Sequence, residues 1–259
     1  MTTTPSAPTL SGPPVAERGA DLPRGARTAF AVNAAVAWVG VAITVVLSGL
    51  GAYADLRAEP GLYGTHPEGP AGVVSRLGDT MSYFTIWSNV VVAVATTLLA
   101  RQPLRSSALL RTLRLDSVLM ITITAIVYAV LLAPTAEVVG WSRLTDPILH
   151  QVTPAVTVLV WLVFGPRGWI SWRTVLAALV LPLAWIAWML VRGTVIGAYP
   201  YDFANVGELG LTSVAGTLAG ILVFGLVVAS VYWGIDGALR RWGPGRSRIS
   251  AGGRPSSSR

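Results

Sequence analysis

The chain contains no cysteine. Disulfides, thiol nucleophiles, thiolate zinc sites and iron–sulfur ligation are therefore excluded. Lysine is absent too: all 19 basic residues are arginine, in a background rich in Ala, Gly, Val and Pro, which points to a GC-rich, bacterial coding sequence. Charge of either sign is scarce, at 12% of 259 residues. A hydrophobic share of 53% and a mean hydropathy of +0.62 then place the chain outside the soluble class, as an integral membrane protein. A net charge of +7 would suit a nucleic-acid binder, but the arginines flank apolar runs instead of covering a polar domain, so no nucleic-acid partner is expected. With two histidines, His66 in a Gly/Pro-rich loop and His150, the chain lacks the paired intramembrane ligands of a multi-haem bundle. No Asp or Glu falls within an apolar run, which argues against the carboxylate relay of a proton pump. GxSxG, HExxH and phosphate-binding glycine loops are missing, and neither metal nor organic cofactor is expected.

What is present is six long apolar runs, at about Thr28 to Leu50, Phe84 to Ala100, Ser117 to Ala133, Ile148 to Phe164, Thr174 to Val191 and Leu211 to Ile235. Each is long enough to cross about 30 Å of hydrocarbon at about 1.5 Å per residue. Lipid offers no partner to backbone N–H and C=O groups, so the runs must be helices packed as a bundle. The expectation is an all-α polytopic membrane protein with three parts: a Pro/Thr/Ser/Gly-rich disordered tail over 1–27 without a signal-peptide core, a six-helix domain over 28–238, and a basic disordered tail over 239–259. Fifteen arginines fall on the side of the two termini and the even-numbered loops, against four on the other. By the positive-inside rule both termini are cytoplasmic, here in a bacterial plasma membrane, and the odd-numbered loops face outward. The basic tail is then suited to lie against the anionic inner leaflet.

His150 is the one ionisable side chain that falls well inside an apolar run, and burying such a group in hydrocarbon is costly enough to mark it as a functional candidate. It lies about one turn into the fourth run, near the outer surface. The second run starts on the same side in Tyr83-Phe84-Thr85-Ile86-Trp87-Ser88-Asn89, so Thr85 and His150 begin parallel helices at matching depth. If those helices are neighbours, the imidazole can remove the proton from a hydroxyl that is unreactive at its own pKa. Ser82, Thr85, Ser88 and Asn89 recur at helical spacing and read as one polar stripe. Such a stripe most simply makes interhelical hydrogen bonds, with Asn89 a candidate oxyanion donor. Asp146 lies at i−4 from His150 and has two readings: an acid that orients the imidazole, or, favoured by the Asp146-Pro147 pair, an N-cap. Pro154 removes the partner of the His150 carbonyl and should kink the helix, as Pro182 should by freeing the carbonyl of Ala178. Thr122, Thr124, Tyr128, Gln151 and Thr153 read as packing contacts, Asn33 as interhelical glue, and Tyr199-Pro-Tyr-Asp-Phe203 as an aromatic cluster suited to cover the outer mouth or to sit in an interfacial belt.

Six helices with both ends inside, the Tyr-Phe-Thr-Ile-Trp-Ser-Asn start of the second, the Leu-His start of the fourth and the Tyr-Pro-Tyr loop together resemble the androgen-induced gene family, which includes the androgen-dependent TFPI-regulating protein and bacterial members. The resemblance spans roughly residues 28 to 240. It implies a membrane threonine hydrolase of fatty acyl esters, with Thr85 as nucleophile and His150 as base; Ser88, Asn89 and Asp146 are the supporting candidates that the spacing itself offers. Its partners would be membrane lipids, with a lipid ester as substrate. The competing reading from the same residues is a protein that binds or transports a lipid or small solute at this polar site.

Overall fold

The structure is a computed structural model that describes residues 23–53, 60–103 and 105–242, except the Trp242 side chain. Among the described residues it is entirely helical apart from one isolated bridge between Leu62 and Tyr199. Six helical segments are long and apolar enough to cross a membrane: Ala26–Leu50, Phe84–Arg101, Ala108–Leu132, Ser142–Phe164, Trp172–Ile196 and Leu211–Arg241. The chain is thus built as a multi-pass membrane protein. The two proposed tails lie largely outside the described residues, among which α1 spans Ala26–Leu50 and α10 spans Leu211–Trp242; two short helices, α2 (Val73–Thr80) and α9 (Val206–Leu209), lie in the segments that join crossings.

Small residues set the helix spacing at the centre. Ala34, Ala37 and Gly40 lie on the buried face of α1, and Ala37 packs with Val92 and Ala93 of α3 (Phe84–Arg101) and Ile121 of α4 (Ala108–Val127). Without bulk between them the backbones approach closely, which is how helices associate where water supplies no hydrophobic drive. Asn33 accepts a hydrogen bond from the Thr157 hydroxyl at 3.0 Å, tying α1 to α6 (Thr153–Phe164) as interhelical glue. The fifth crossing is broken at Leu179 into α7 (Trp172–Ala178) and α8 (Val180–Ile196), where Pro182 denies Ala178 its partner.

Two helices leave α geometry near their ends. Residues Tyr128–Leu132 after α4, and Ile148–Val152 between α5 (Ser142–Pro147) and α6, form π turns. In the second, Thr153 N–H donates to the Ile148 carbonyl, five residues back. Pro154 cannot serve the His150 carbonyl, and instead of a simple kink the chain takes the wider turn.

The fourth crossing therefore starts at Ser142, six residues before the apolar run, and this corrects the reading of Asp146 as an N-cap and of Pro147 as the first helical residue. Both lie within the helix. The third crossing likewise begins earlier than its apolar run, and Arg114 and Asp116 are buried in it, at 2% and 1% exposure. His150 is accordingly not the only ionisable group inside the bundle. Hydropathy stops at the first charge, whereas helical hydrogen bonding continues through it. Arg114 lies over the Phe30 ring at 5.6 Å.

At that same end, Asp236 of α10 accepts the Gly168 N–H at 2.9 Å and the Ile170 N–H at 3.5 Å, closing the short link after α6. Replacing Asp236 by Ala strands these donors in a buried place. About 2–4 kcal/mol of stability should be lost, read as a lower thermal midpoint in detergent, while the other end of the bundle is untouched.

Candidate functional site

At the opposite end, four crossings converge on Thr85. The helix start that carries it has an extended Tyr83 as its cap, and the first N–H groups of any helix lack intrahelical acceptors. A tyrosine from a distant loop meets this need: the Tyr201 hydroxyl accepts the Phe84 N–H at 3.1 Å. The Tyr199-Pro-Tyr segment is held there by reciprocal backbone hydrogen bonds, Tyr63 N–H to Tyr199 O and Tyr199 N–H to Gly61 O. Tyr201 packs among Trp185, Met189, Val214 and Leu218.

Helices two and four do touch. Thr85 Oγ1 stands 3.1 Å from His150 Nε2, and His150 Nδ1 stands 3.0 Å from Asp146 Oδ1 and 3.2 Å from the Asp146 carbonyl. The other carboxylate oxygen, Oδ2, accepts the Tyr128 hydroxyl at 2.5 Å, and the Tyr128 ring stacks on the imidazole with centroids 3.9 Å apart and planes 11° apart. Both stacked residues belong to the two π turns, a geometry that recurs at functional sites because it re-aims side chains. Gly40 of α1 makes room behind: a Cβ there would lie 2.8 Å from Ile148 and 3.2 Å from Leu149.

Both oxygens around Nδ1 are acceptors, so Nδ1 carries a hydrogen; in the neutral imidazole Nε2 is then the bare nitrogen and accepts the Thr85 hydroxyl hydrogen. Tyr201 accepts the Phe84 N–H, keeps its own hydrogen to give, and lines the same cavity as Thr85. Burial pushes the Tyr201 phenol up to about 12, so that hydrogen stays in place at neutral pH. The His150 and Asp146 side chains are only 13% and 17% exposed, which shields the relay from bulk water without sealing it.

Asn89 is not arranged as an oxyanion donor. Both hydrogens of its amide are engaged, by the Thr85 carbonyl at 2.8 Å and the Leu149 carbonyl at 3.3 Å; turning the amide over would set its oxygen against two carbonyls. It latches the nucleophile's helix to the histidine's turn instead. Ser88 donates to the Thr85 carbonyl and accepts from Thr124, the interhelical bonding expected of such residues. Ser82 precedes α3 and turns to α8, accepting from Trp188, so the stripe is shorter than the spacing implied. Tyr128 and Tyr201 have site roles beyond the packing contact and the aromatic cluster that the sequence offers for them. Only their placement at the mouths of neighbouring crossings hinted at them.

Thr85 and Tyr201 line a partly open cavity between α3, α4, α7, α8 and α10. Its walls are otherwise almost wholly apolar, from Phe84 and Leu132 down to Leu119 and Ala229.

A second constellation, Ser75, His66 and Asp79, has triad-like spacing: Ser75 Oγ to His66 Nδ1 is 3.1 Å and His66 Nε2 to Asp79 Oδ2 is 3.3 Å. The Ser75 hydroxyl, however, donates to the Gly72 carbonyl, so it can only accept from the imidazole. Asp79 is also paired with Arg192 at 2.5 Å. This cluster ties the loop over residues 60–83 to the end of α8 and is not poised for attack.

Fold and site together define a multi-pass helical membrane protein with a shielded Thr–His–Asp hydrogen-bond relay at one end of an apolar cavity. No family model matches the chain, and neither a curated protein nor a solved structure matches it.

Proposed function

We propose that the protein is an intramembrane hydrolase of lipid (fatty acyl) esters. The observation that carries this reading is the relay itself: Asp146, His150 and Thr85 are joined in series, so that with a neutral imidazole the Thr85 hydroxyl hydrogen is directed at Nε2 at the wall of an apolar cavity. His150 Nε2 takes the Thr85 proton as Oγ1 attacks the ester carbonyl. The oxygen of the tetrahedral intermediate is held by the Tyr201 hydroxyl. When the C–O bond to the alcohol breaks, His150 gives its proton to the departing alkoxide. Water, deprotonated by the same nitrogen, then attacks the acyl-threonine, and the acid leaves as Thr85 regains its hydrogen. Asp146 holds the imidazole in the required tautomer and stabilises its charged form.

The resemblance to the androgen-induced gene family supports the same roles for Thr85 and His150. The arginine bias supports cytoplasmic termini, which directs the site to the outer leaflet of a bacterial plasma membrane. A lipid carrier would use the cavity equally well but has no use for a directed proton relay. The test is a trapped intermediate: brief incubation of the purified protein with a p-nitrophenyl ester, acid quench and peptide mass spectrometry should find the acyl group on Thr85. Turnover with no acyl-threonine, or an acyl group on another residue, would overturn the assignment of the nucleophile.

Tyr201→Phe removes the donor to the developing oxyanion together with the acceptor of the Phe84 N–H. It should lower kcat about a hundredfold and leave KM within a few fold. An equal rise in KM with unchanged kcat would make Tyr201 a binding residue only.

A further inference from the structure

Arg114 of α4 is a buried cation that none of the described residues neutralises. It is 2% exposed, and all three guanidinium nitrogens lack a hydrogen-bond partner. The ion pairs among the described residues are His66–Asp79, His150–Asp146 and Arg192–Asp79, and Arg114 is in none of them. Asp116, two residues further on, leaves the helix about 200° away around the axis, and its carboxylate is equally unpartnered. Asp236, at the same end of the bundle, is committed to the Gly168 and Ile170 N–H groups. Arginine cannot shed its proton to escape, so a buried guanidinium calls for an anion and destabilises the fold without one.

The surroundings of Arg114 belong to the end of the bundle where α1 begins and α10 finishes. Helical side chains lean toward the N-terminus of their helix, and α4 starts at that end, so the Arg114 stem runs toward the membrane surface. The guanidinium lies over the Phe30 ring at 5.6 Å. Phe30 follows the first residue of α1 by four positions, about 6 Å along the axis, and packs with Val160 of α6. Over Trp161, the next residue of α6, lies a second guanidinium, that of Arg167, at 5.2 Å from the ring centre. Arg167 comes from the short link after α6, donates to the Leu162 carbonyl and keeps its Nη1 buried without a partner. Asp236 attracts Arg167 from a distance but forms no ion pair with it. The two arginine charges are close enough to repel. Arg167 is itself partly exposed, so the pair is approached from the surface.

We infer that Arg114 and Arg167 form a binding site for a phosphate group, presented by an anionic phospholipid of the leaflet on the side of the chain termini or by free phosphate. A tetrahedral oxyanion accepts from two guanidinium forks at once, and a negative charge between the arginines turns their repulsion into attraction. The site lies at the opposite end of the bundle from Thr85 and does not depend on the chemistry proposed there.

The experiment follows the thermal midpoint of the full chain in maltoside detergent at fixed ionic strength, with chloride alone, with inorganic phosphate, and with added phosphatidylglycerol. Phosphatidylglycerol should raise the midpoint by at least about 3 °C, because it binds the folded state alone. An equal rise with inorganic phosphate identifies the phosphate group as sufficient, whereas a rise with the lipid only identifies the headgroup on its acyl anchor. Arg167→Gln should cut the rise by half or more. Arg114→Met keeps the apolar stem and removes the charge: it should abolish the rise and, in chloride alone, melt no earlier than the wild type. Arg101→Gln combined with Arg105→Gln, exposed positions on the same side of the membrane, should leave the rise unchanged. No rise with either anion, a rise that survives Arg114→Met, or one that falls as much with the Arg101/Arg105 changes would overturn the inference. So would a midpoint lowered by Arg114→Met equally in all three media, which would make Arg114 a tie within the chain. If Arg114→Met does not fold, Arg167→Gln decides, and an undiminished rise in that variant overturns the inference.

Discussion

Thr85→Ala should abolish ester hydrolysis, lowering kcat/KM by about four to six orders of magnitude, the range found when a nucleophile of this type is removed. The thermal midpoint should stay within a few degrees, because the Thr85 carbonyl, which holds Ser88 and Asn89, is backbone and survives the change. Thr85→Ser keeps a hydroxyl on Cβ within reach of His150 Nε2 and should retain activity to within about tenfold. His150→Ala should cost as much as Thr85→Ala, and the double variant no more than either alone, since the two residues act as one unit. Residual activity in Thr85→Ala equal to that of Thr85→Ser would show that the hydroxyl is not the attacking group. The pattern matters more than any single value: a structural role for Thr85 predicts additive losses and a fallen thermal midpoint.

Asp146→Asn should lower kcat by about 10²–10³ with little change in KM. Where a buried carboxylate is the sole partner of Nδ1, the corresponding change costs about 10⁴ because the amide favours the wrong tautomer. Here the Asp146 backbone carbonyl also accepts from Nδ1, at 3.2 Å, and no side-chain replacement removes it. Part of the orientation therefore persists, and the loss should be smaller. The charge that stabilises the imidazolium is gone in full, so the pH profile should lose its dependence on the carboxylate. Tyr128→Phe, which removes one hydrogen bond to that carboxylate and keeps the stacked ring, should cost no more than about tenfold. If Asp146→Asn were silent in kcat while lowering the thermal midpoint, the carboxylate would be a structural tie between the third and fourth crossings.

The pair at the centre of these predictions was legible in the sequence because it obeys two simple rules. An imidazole inside an apolar run is conspicuous, and helices that start on the same side place early residues at the same depth. Asp146 was legible as one of two alternatives, an orienting acid or the favoured helix cap: Asp-Pro has the form of a helix start, and nothing local shows that the helix had begun at Ser142. Asn89 failed in the other direction. Its chemistry suits an oxyanion site, yet two backbone carbonyls, one from another helix, engage its hydrogens. Tyr201 is separated from Thr85 by more than a hundred residues and arrives through a loop, so no periodicity points to it. Arg114 and Asp116 escaped because hydropathy reads charge as the edge of a span, although a helix can carry charge inward if its neighbours enclose it. The cavity was invisible for a related reason: its walls come from several crossings at once, and each supplies aliphatics that look like ordinary lipid-facing residues.

The two π turns have a bearing on how such a site arises and how it is lost. Each carries one residue more than an α-helical turn, and each successive helical residue is offset by about 100° around the axis. Tyr128 and His150 face one another because both crossings hold such a surplus residue at the same level. Information for the site thus resides in register as well as in identity. A chain with every one of these side chains but one residue fewer between Ile148 and Val152 would keep its hydropathy, its length across the membrane and its composition, yet would present a different face to Thr85.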